Sequence, residues 1–313
     1  MTRAFIFPGQ GSQAVGMGSE LADAFPEARM VFEEIDDALE QKLSLLMAGG
    51  PEDELTLTEN AQPALMAVSM AALRVLEKEG GLDLASAASC VAGHSLGEYS
   101  ALAAAGTFTV ADTARLLKIR GKAMQAAVPV GEGAMAALLG LEMDDVRAIA
   151  EEASSAVVCS TANDNASGQV VISGEAAAVE HACELAKEKG CKRAVLLPVS
   201  APFHCSMMAP AADAMAEALG NVQMQAPIVP VVANVTASKT VDPDEIRELL
   251  VEQVTHMVRW RESVLYMKDQ GVDTLVEVGA GKVLSGLTRR IDKEMTSVNV
   301  GTPADVETFL ASL

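Results

Sequence analysis

A serine between two glycines, at residues 93–97, constrains this chain more than any other feature. The segment reads Gly-His-Ser-Leu-Gly, with a small apolar run before it and an alanine-rich helical pattern after it. Gly93 and Gly97 lack the side chains that would clash in a sharp turn from a strand into a helix, and such a turn exposes the hydroxyl of Ser95. The pattern is typical of a nucleophile. A chance match in a loop is the alternative, because the chain contains 24 glycines.

The composition predicts a soluble protein with a large buried core. Half of the 313 residues are hydrophobic and 21% are charged, which is ordinary for a globular domain. The absence of an 18-residue apolar run and of a signal-peptide pattern favours a cytoplasmic location without a membrane. The net charge of −20 argues against nucleic acid as a partner. Five cysteines without a Cys-x-x-Cys pair favour neither disulfides nor zinc, and we expect no metal.

Alternating strand and helix patterns predict an α/β fold with a mostly parallel sheet. Within residues 129–198 the order is strand, helix, strand, strand, helix, strand, which predicts a ferredoxin-like subdomain. This subdomain would be an insert in a discontinuous large domain, formed by residues 1–128 and 199–313.

Two helical regions of the large domain have predicted boundaries. The apolar periodicity of Leu21–Leu46 predicts two helices. A turn is predicted at Thr58–Pro63, ahead of a long helix over Ala64–Glu79 that Gly80 and Gly81 end.

A serine nucleophile needs a general base, and the chain contains four histidines. His94 adjoins Ser95 and is expected to shape the turn. His181 lies in a polar helix pattern and is expected at the surface, whereas His256 fits either position. His204 follows a proline-stiffened junction between the insert and the large domain, so it is the favoured base. A structural histidine is the alternative there.

Arg120 is the candidate cation for an acyl group that carries a negative charge. It lies in the second half of a helix pattern, beside the predicted insert. The alternative is a solvated arginine near a helix C-terminus, where the helix dipole favours positive charge. The residue pattern leaves both interpretations open.

Six motifs, in the same order along the chain, resemble the malonyl-coenzyme A:acyl carrier protein transacylases of fatty acid synthesis. They occupy segments 7–13, 62–65, 93–99, 120–124, 198–204 and 277–284. The resemblance covers essentially the whole chain and implies an α/β-hydrolase-like core with a ferredoxin-like insert. It also implies ping-pong transfer of malonyl from malonyl-CoA to the phosphopantetheine thiol of an acyl carrier protein. No cofactor is implied, and a monomer is expected.

The resemblance further implies a role for each matching residue. Ser95 would carry the malonyl group, and His204 would be the base, oriented by the main-chain carbonyl of Gln253. The backbone N–H groups of Gln10 and Leu96 would form the oxyanion hole.

Three more residues would contact the malonyl group under the same resemblance. Arg120 would pair with its carboxylate, which suits a planar guanidinium. Phe203 would crowd an α-methyl group and so disfavour methylmalonyl, and Met124 would line the same site. Met257 and Ala280 replace prolines that are frequent in the family, both outside the proposed site.

Docking of an acidic carrier protein on an acidic enzyme requires a local basic patch. Two clusters are candidates: Lys187, Lys189, Lys192 and Arg193, or Lys282, Arg289 and Arg290. The alternative for both clusters is an ordinary solvated helix face.

Two other functions are alternatives. One is a serine esterase or thioesterase with the same nucleophile turn, and the other is a catalytically silent module that binds the carrier.

Overall fold

The computed structural model describes residues 2–154, 157–199 and 201–313. Its strands, in chain order, are β1 (Arg3–Phe7), β2 (Cys90–Gly93), β3 (Gly133–Leu139), β4 (Cys159–Ala166), β5 (Gln169–Glu175), β6 (Arg193–Leu196), β7 (Val231–Val232), β8 (Lys239–Thr240), β9 (Thr274–Val278) and β10 (Thr296–Val300).

The helices of the described residues connect these strands. They are α1 (Ser19–Ala24), α2 (Pro26–Leu39), α3 (Leu43–Gly49), α4 (Glu52–Thr56), α5 (Thr58–Gly80), α6 (Leu84–Ala87), α7 (Leu96–Ala104), α8 (Val110–Ala126), α9 (Met143–Ala153), α10 (Ala176–Glu188), α11 (Ala209–Gly220), α12 (Pro243–Gln253), α13 (Trp260–Asp269), α14 (Val283–Ile291) and α15 (Pro303–Leu310). Ser206–Met208 is a short 3₁₀ turn. None of these helices is long and apolar enough to cross a membrane.

Sheet A has six strands in the order β10-β9-β1-β2-β7-β8. All neighbouring pairs are parallel except β7 and β8. Strands β2 and β9 are buried along their whole length, as expected when helices cover both faces of a parallel sheet. Alternate residues of β1 pack to opposite sides, with Phe5 and Phe7 in one apolar cluster and Ala4 and Ile6 in another. The predicted α/β class with a mostly parallel sheet is confirmed.

Sheet B has four strands in the order β4-β5-β3-β6, and its pairs are antiparallel. One face packs on α9 and α10 through residues such as Leu138 and Ile172. The other face contributes Met135 and Val171 to the main core. Apolar residues therefore alternate between two cores along the central strands β3 and β5. The domain boundaries at 128/129 and 198/199 stay predictions.

Two helix predictions are wrong. The turn predicted at Thr58–Pro63 is the beginning of α5, because Pro63 removes only one helix hydrogen bond while the flanking residues are buried against neighbouring helices. At Gly121 of α8, a side-chain carbon would overlap the backbone of Glu59, so the close approach of the two helices needs a glycine there. The two helices predicted within Leu21–Leu46 are the three helices α1, α2 and α3.

The elements that position the site meet at the carboxyl ends of parallel strands. β1 leads into the glycine-rich segment 8–13, and β2 leads directly into the Ser95 turn. The chain returns from β6 to the main core through residues 197–205, where Ser200 of the predicted motif lies outside the described residues. The site therefore lies between the ends of the sheet A strands and sheet B, as crevices in open α/β sheets do.

Candidate active site

The turn from β2 into α7 has the shape that its glycines predict. Ser95 has φ 53° and ψ −112°, a conformation that residues with side chains rarely adopt. A side-chain carbon on Gly93 would overlap the carbonyl of Gly97, and one on Gly97 would overlap the carbonyl of Phe7. Both glycines are therefore required by packing, and the chance-match alternative for this motif does not hold.

Ser95, His204 and Gln253 form one hydrogen-bonded chain. The Ser95 Oγ lies 2.8 Å from the His204 Nε2, and the His204 Nδ1 lies 2.8 Å from the main-chain oxygen of Gln253. A carbonyl only accepts hydrogen bonds, so Nδ1 carries the proton and Nε2 is free to accept one from the hydroxyl. The structure thus brings together three residues from β2–α7, the 197–205 link and α12.

His204 is held neutral by its surroundings. It is 4% exposed, and burial together with the neighbouring Arg120 lowers its pKa to about 3. Desolvation and a nearby positive charge both disfavour the imidazolium. A neutral imidazole with an unprotonated Nε2 is the form that accepts a proton from a nucleophile.

Arg120 is buried inside α8 rather than solvated at its end, since only 1% of its surface is exposed. Its Nη1 donates to Gln62 Oε1 at 2.9 Å. Its Nη2 donates to Gln253 Oε1 at 2.8 Å and to Ser95 Oγ at 3.1 Å. Burial lowers its pKa from the usual value. No carboxylate among the described residues forms an ion pair with it, so a charged group is held in the site without a direct counter-charge.

A second buried network links the turn to Gln253. The Glu98 Oε2 accepts hydrogen bonds from Gln253 Nε2 at 2.7 Å and from the Asn234 N–H at 3.1 Å. Burial raises the pKa of Glu98 to about 7. Sequence reasoning assigned no role to Glu98, Asn234 or the side chain of Gln253. A polar residue directly after Gly97, in an otherwise apolar helix, was the available signal for Glu98.

These groups open onto a cavity of about 320 Å³ between the main core and sheet B. Sheet B contributes Met135 and Asn163 to its wall. Seven of the eight predicted site residues line it: Gln10, Ser95, Leu96, Arg120, Met124, Phe203 and His204. The eighth, Gln253, forms hydrogen bonds with Ser95, Arg120 and His204. The cavity suits a small polar acyl group beside the serine.

The remaining histidines do not contact the Ser95 hydroxyl. His94 lines the cavity, but its Nε2 lies 2.8 Å from Asn165 Oδ1, which links the turn to β4 of sheet B. His181 lies at the surface, 3.9 Å from Glu184. His256 contacts the C-terminal end of α12. Of the four histidines, His204 alone is placed as a base for Ser95.

In the described part of the chain, no group of three or more His, Cys, Asp or Glu side chains is arranged to hold a metal ion. The five cysteines are free thiols. The expectation that no cofactor is needed stays a prediction.

Comparison with known proteins identifies the family. The acyl transferase domain model matches residues 4–305. The malonyl CoA-acyl carrier protein transacylase of Escherichia coli K12 is 48% identical over 301 residues, 96% of each chain. The crystal structure of the Bartonella henselae acyl-carrier-protein-S-malonyltransferase is 59% identical, with a TM-score of 0.98 over 100% of this chain and 99% of that one. A malonyl-transacylase solved with a type II PKS acyl-carrier protein is 43% identical, with a TM-score of 0.97 over the full length of both chains. This chain therefore belongs to the acyl transferase family, among the malonyl CoA-acyl carrier protein transacylases.

Proposed function

We propose that this enzyme transfers the malonyl group of malonyl-CoA to the phosphopantetheine thiol of an acyl carrier protein, in fatty acid synthesis. One observation carries the proposal: a serine hydroxyl lies within hydrogen-bond distance of both a neutral histidine and a buried arginine, in one cavity. The names of the relatives support the substrate and the acceptor.

The first half-reaction forms a malonyl ester on Ser95. The Ser95 Oγ attacks the thioester carbonyl while the His204 Nε2 accepts its proton, and the main-chain carbonyl of Gln253 keeps the ring in the required tautomer. The developing oxyanion is bound by the N–H groups of Leu96, at the start of α7, and Gln10. The carbon–sulfur bond then breaks, and His204 returns its proton to the coenzyme A thiol.

The second half-reaction reverses these steps with a different thiol. Coenzyme A leaves, and the phosphopantetheine thiol of the carrier enters the same cavity. His204 accepts the thiol proton, the sulfur attacks the malonyl ester, and Ser95 leaves with the proton from His204. The same nucleophile, Ser95, and the same base, His204, thus act in both half-reactions, which gives a ping-pong mechanism without a cofactor.

Arg120 selects malonyl by its charge. Its guanidinium is buried and held by the amides of Gln62 and Gln253, so a carboxylate that enters the cavity finds a desolvated partner. Acetyl offers no such partner, and an unpaired buried charge costs about 2 kcal/mol or more. Phe203 and Met124 line the same cavity, and we assign them contacts with the malonyl carbon chain.

The strand order of sheet B, in which β3 and β5 are central, supports a ferredoxin-like insert at residues 129–198. We propose an α/β-hydrolase-like arrangement for the rest of the fold. A monomeric, cytoplasmic enzyme without nucleic-acid or membrane partners is proposed on the strongly acidic composition. For the carrier, we propose docking at Lys187, Lys189, Lys192 and Arg193, or at Lys282, Arg289 and Arg290.

The test is a competition between acyl donors. The protein is mixed with equal amounts of malonyl-CoA and acetyl-CoA, quenched in acid and peptide-mapped by mass. We expect a malonyl ester on Ser95 alone, and its loss when a carrier protein with its phosphopantetheine is added before the quench. Free malonate as the main product, without carrier acylation, would instead indicate a thioesterase. Neither adduct nor turnover would indicate a silent binding module.

A further inference from the structure

The turn that carries the nucleophile is held by the side chain of Asn234, which lies in the turn between β7 and β8. Its Oδ1 accepts a hydrogen bond from the Ser95 N–H at 2.7 Å. Its Nδ2 donates one to the Gly93 carbonyl oxygen at 2.7 Å. One amide group therefore contacts the chain on both sides of His94, where the strand reverses into the helix.

The turn needs such support because its conformation is unfavourable by itself. The φ of 53° at Ser95 is strained for a residue with a side chain, and such conformations persist only when the surroundings fix them. Ser95 also precedes the first residue of α7, so its N–H has no acceptor within the helix. Asn234 supplies that acceptor.

The register of sheet A explains why an amide occupies this position. β7 runs parallel to β2, with Val231 opposite Val91 and Val232 opposite Ala92. Beyond these pairs the ladder between β2 and β7 ends, although Gly93 still pairs with Phe7 of β1. The Asn234 side chain offers one donor and one acceptor, as a peptide group does, and continues the pairing.

Asn234 is itself fixed from two other directions. Its N–H donates to Glu98 Oε2 at 3.1 Å, and its carbonyl accepts from the Arg259 N–H at 3.1 Å. It is 1% exposed and does not appear among the described residues that line the cavity. The amide is therefore oriented by the protein alone and has no contact with an acyl group bound beside Ser95.

We propose that Asn234 is a positioning residue that sets where the Ser95 Oγ and the Leu96 N–H lie, and thereby sets the rate of acylation. By occupying the Ser95 N–H, it leaves the Leu96 N–H as the first one of α7 that can bind the acyl oxygen. The inference rests on the proposed function, because it assigns a role within the acylation of Ser95. It predicts a defect in rate and not in the affinity for malonyl-CoA, which Arg120 governs.

The test compares Asn234→Asp and Asn234→Ala with the unmodified protein. Asp keeps the acceptor and loses the donor, whereas Ala loses both. We expect single-turnover malonylation at saturating malonyl-CoA, followed by intact-protein mass, to fall about 100-fold in both, as small displacements of reacting groups do. The concentration that gives half the maximal rate should stay within about threefold of its original value.

Asn221→Asp is the matched control, since Asn221 is an exposed asparagine at the C-terminal end of α11 whose side chain donates to Glu217. It should leave the malonylation rate unchanged. An Asn234→Asp or Asn234→Ala protein that is folded by circular dichroism and acylates within about threefold of the original rate would contradict the proposal. Loss of folded protein in both variants would also contradict it, because Asn234 would then support the whole fold and not the turn.

A second reagent separates this inference from the proposed function. A small phosphonofluoridate forms a phosphorus–oxygen bond with an activated serine and releases fluoride, without needing Arg120 or coenzyme A. If the unmodified protein forms no malonyl ester, the proposed function fails, yet labelling of Ser95 still compares the turn between variants. Slower labelling in both Asn234 variants would support the positioning role, and equal labelling would overturn it.

Discussion

Sheet A and sheet B border the same cavity but contribute to it in different ways. The helices packed on sheet A supply polar groups that are fully buried and hydrogen-bonded to one another, such as Arg120, Glu98 and Gln253. We call this the sheet A side of the cavity. Sheet B supplies Met135 and Asn163 to the wall, and its edge strand β6 is largely exposed. The groups that can make and break bonds all belong to the first side or to the link that joins the two.

The difference follows from how the two sheets are built. Parallel strands align their carboxyl ends at one edge, where turns and helix N-termini meet in a buried place. An antiparallel sheet with helices on one face offers a second, mostly apolar face, and here that face closes the cavity. We infer that sheet A carries the chemistry and that the insert sets the size of the acyl group.

The largest effect is expected from the nucleophile on the side of sheet A. Ser95→Ala should abolish the malonyl ester and lower malonyl transfer by about 10⁴-fold or more, because no other hydroxyl of the described residues forms a hydrogen bond with His204. The measurement is transfer from malonyl-CoA to the carrier. Ser100→Ala is the control: Ser100 is buried on α7, the helix that Ser95 directly precedes, and its hydroxyl has no partner among the described residues. Substantial malonyl transfer by Ser95→Ala would contradict the assignment of Ser95, on the sheet A side of the cavity, as the nucleophile.

The positive charge of Arg120, also on the sheet A side, should determine the preference for malonyl over acetyl. Arg120→Ala should reduce the preference for malonyl over acetyl by roughly 30-fold, which corresponds to about 2 kcal/mol for a buried charged pair. The ratio of the two kcat/KM values measures this. Arg115→Ala, in an exposed ion pair with Asp112 on the same helix, should leave the ratio unchanged. A retained preference in Arg120→Ala would place selection elsewhere in the cavity.

The buried setting of the base predicts a flat pH profile. An ordinary histidine with a pKa near 6.5 would lose about 30-fold of its unprotonated form between pH 8 and pH 5. The pKa of His204 is about 3, and protonation begins only as the pH falls towards that value. The kcat/KM for Ser95 acylation should therefore change by less than about threefold over this range.

Glu98→Gln should be measured beside the unmodified protein in this experiment. Burial raises the pKa of Glu98 to about 7, so this carboxyl titrates within the same window. Glutamine keeps an acceptor for Gln253 and Asn234 without a proton to gain. A 30-fold fall between pH 8 and pH 5 that persists in Glu98→Gln would assign an ordinary pKa to His204 and contradict its buried, neutral state.

The smallest effect is expected at the wall where the insert joins the main core. Phe203→Ser should raise methylmalonyl turnover by roughly 10-fold, the scale of one methyl group in an apolar pocket, with little change for malonyl. Competition between the two coenzyme A esters measures this, and Phe203→Leu should give an intermediate value. No gain with serine would mean that Phe203 does not limit the size of the acyl group.

Local sequence accounts for part of this site. The Ser95 turn was predictable because the clash that requires Gly93 arises with Gly97, four positions away, whereas the clash of Gly97 with Phe7 arises only in the folded chain. His204 was favoured from its place on a stiff junction, while its orientation by Gln253 entered only through the family resemblance. The turn predicted at Thr58–Pro63 was wrong because proline and polar residues favour a turn locally, and packing against other helices overrides that preference.

Other features depended on contacts that no local pattern contains. Whether Arg120 is solvated or buried depends on which face of α8 meets α5 and α12. The role of Asn234 depends on the register between β2 and β7, which joins residues 139 positions apart. The Asn234 side chain can form its hydrogen bonds to the Ser95 turn only once the two strands are paired.

By itself, the sequence determined the α/β class, the mostly parallel sheet and the nucleophile turn, because backbone sterics and the alternation of apolar residues act over short distances. Only the tertiary structure decided that a buried arginine, a neutral histidine and a bracing asparagine surround one serine. Desolvation and hydrogen bonding between distant segments create those properties, and both exist only once the chain has folded.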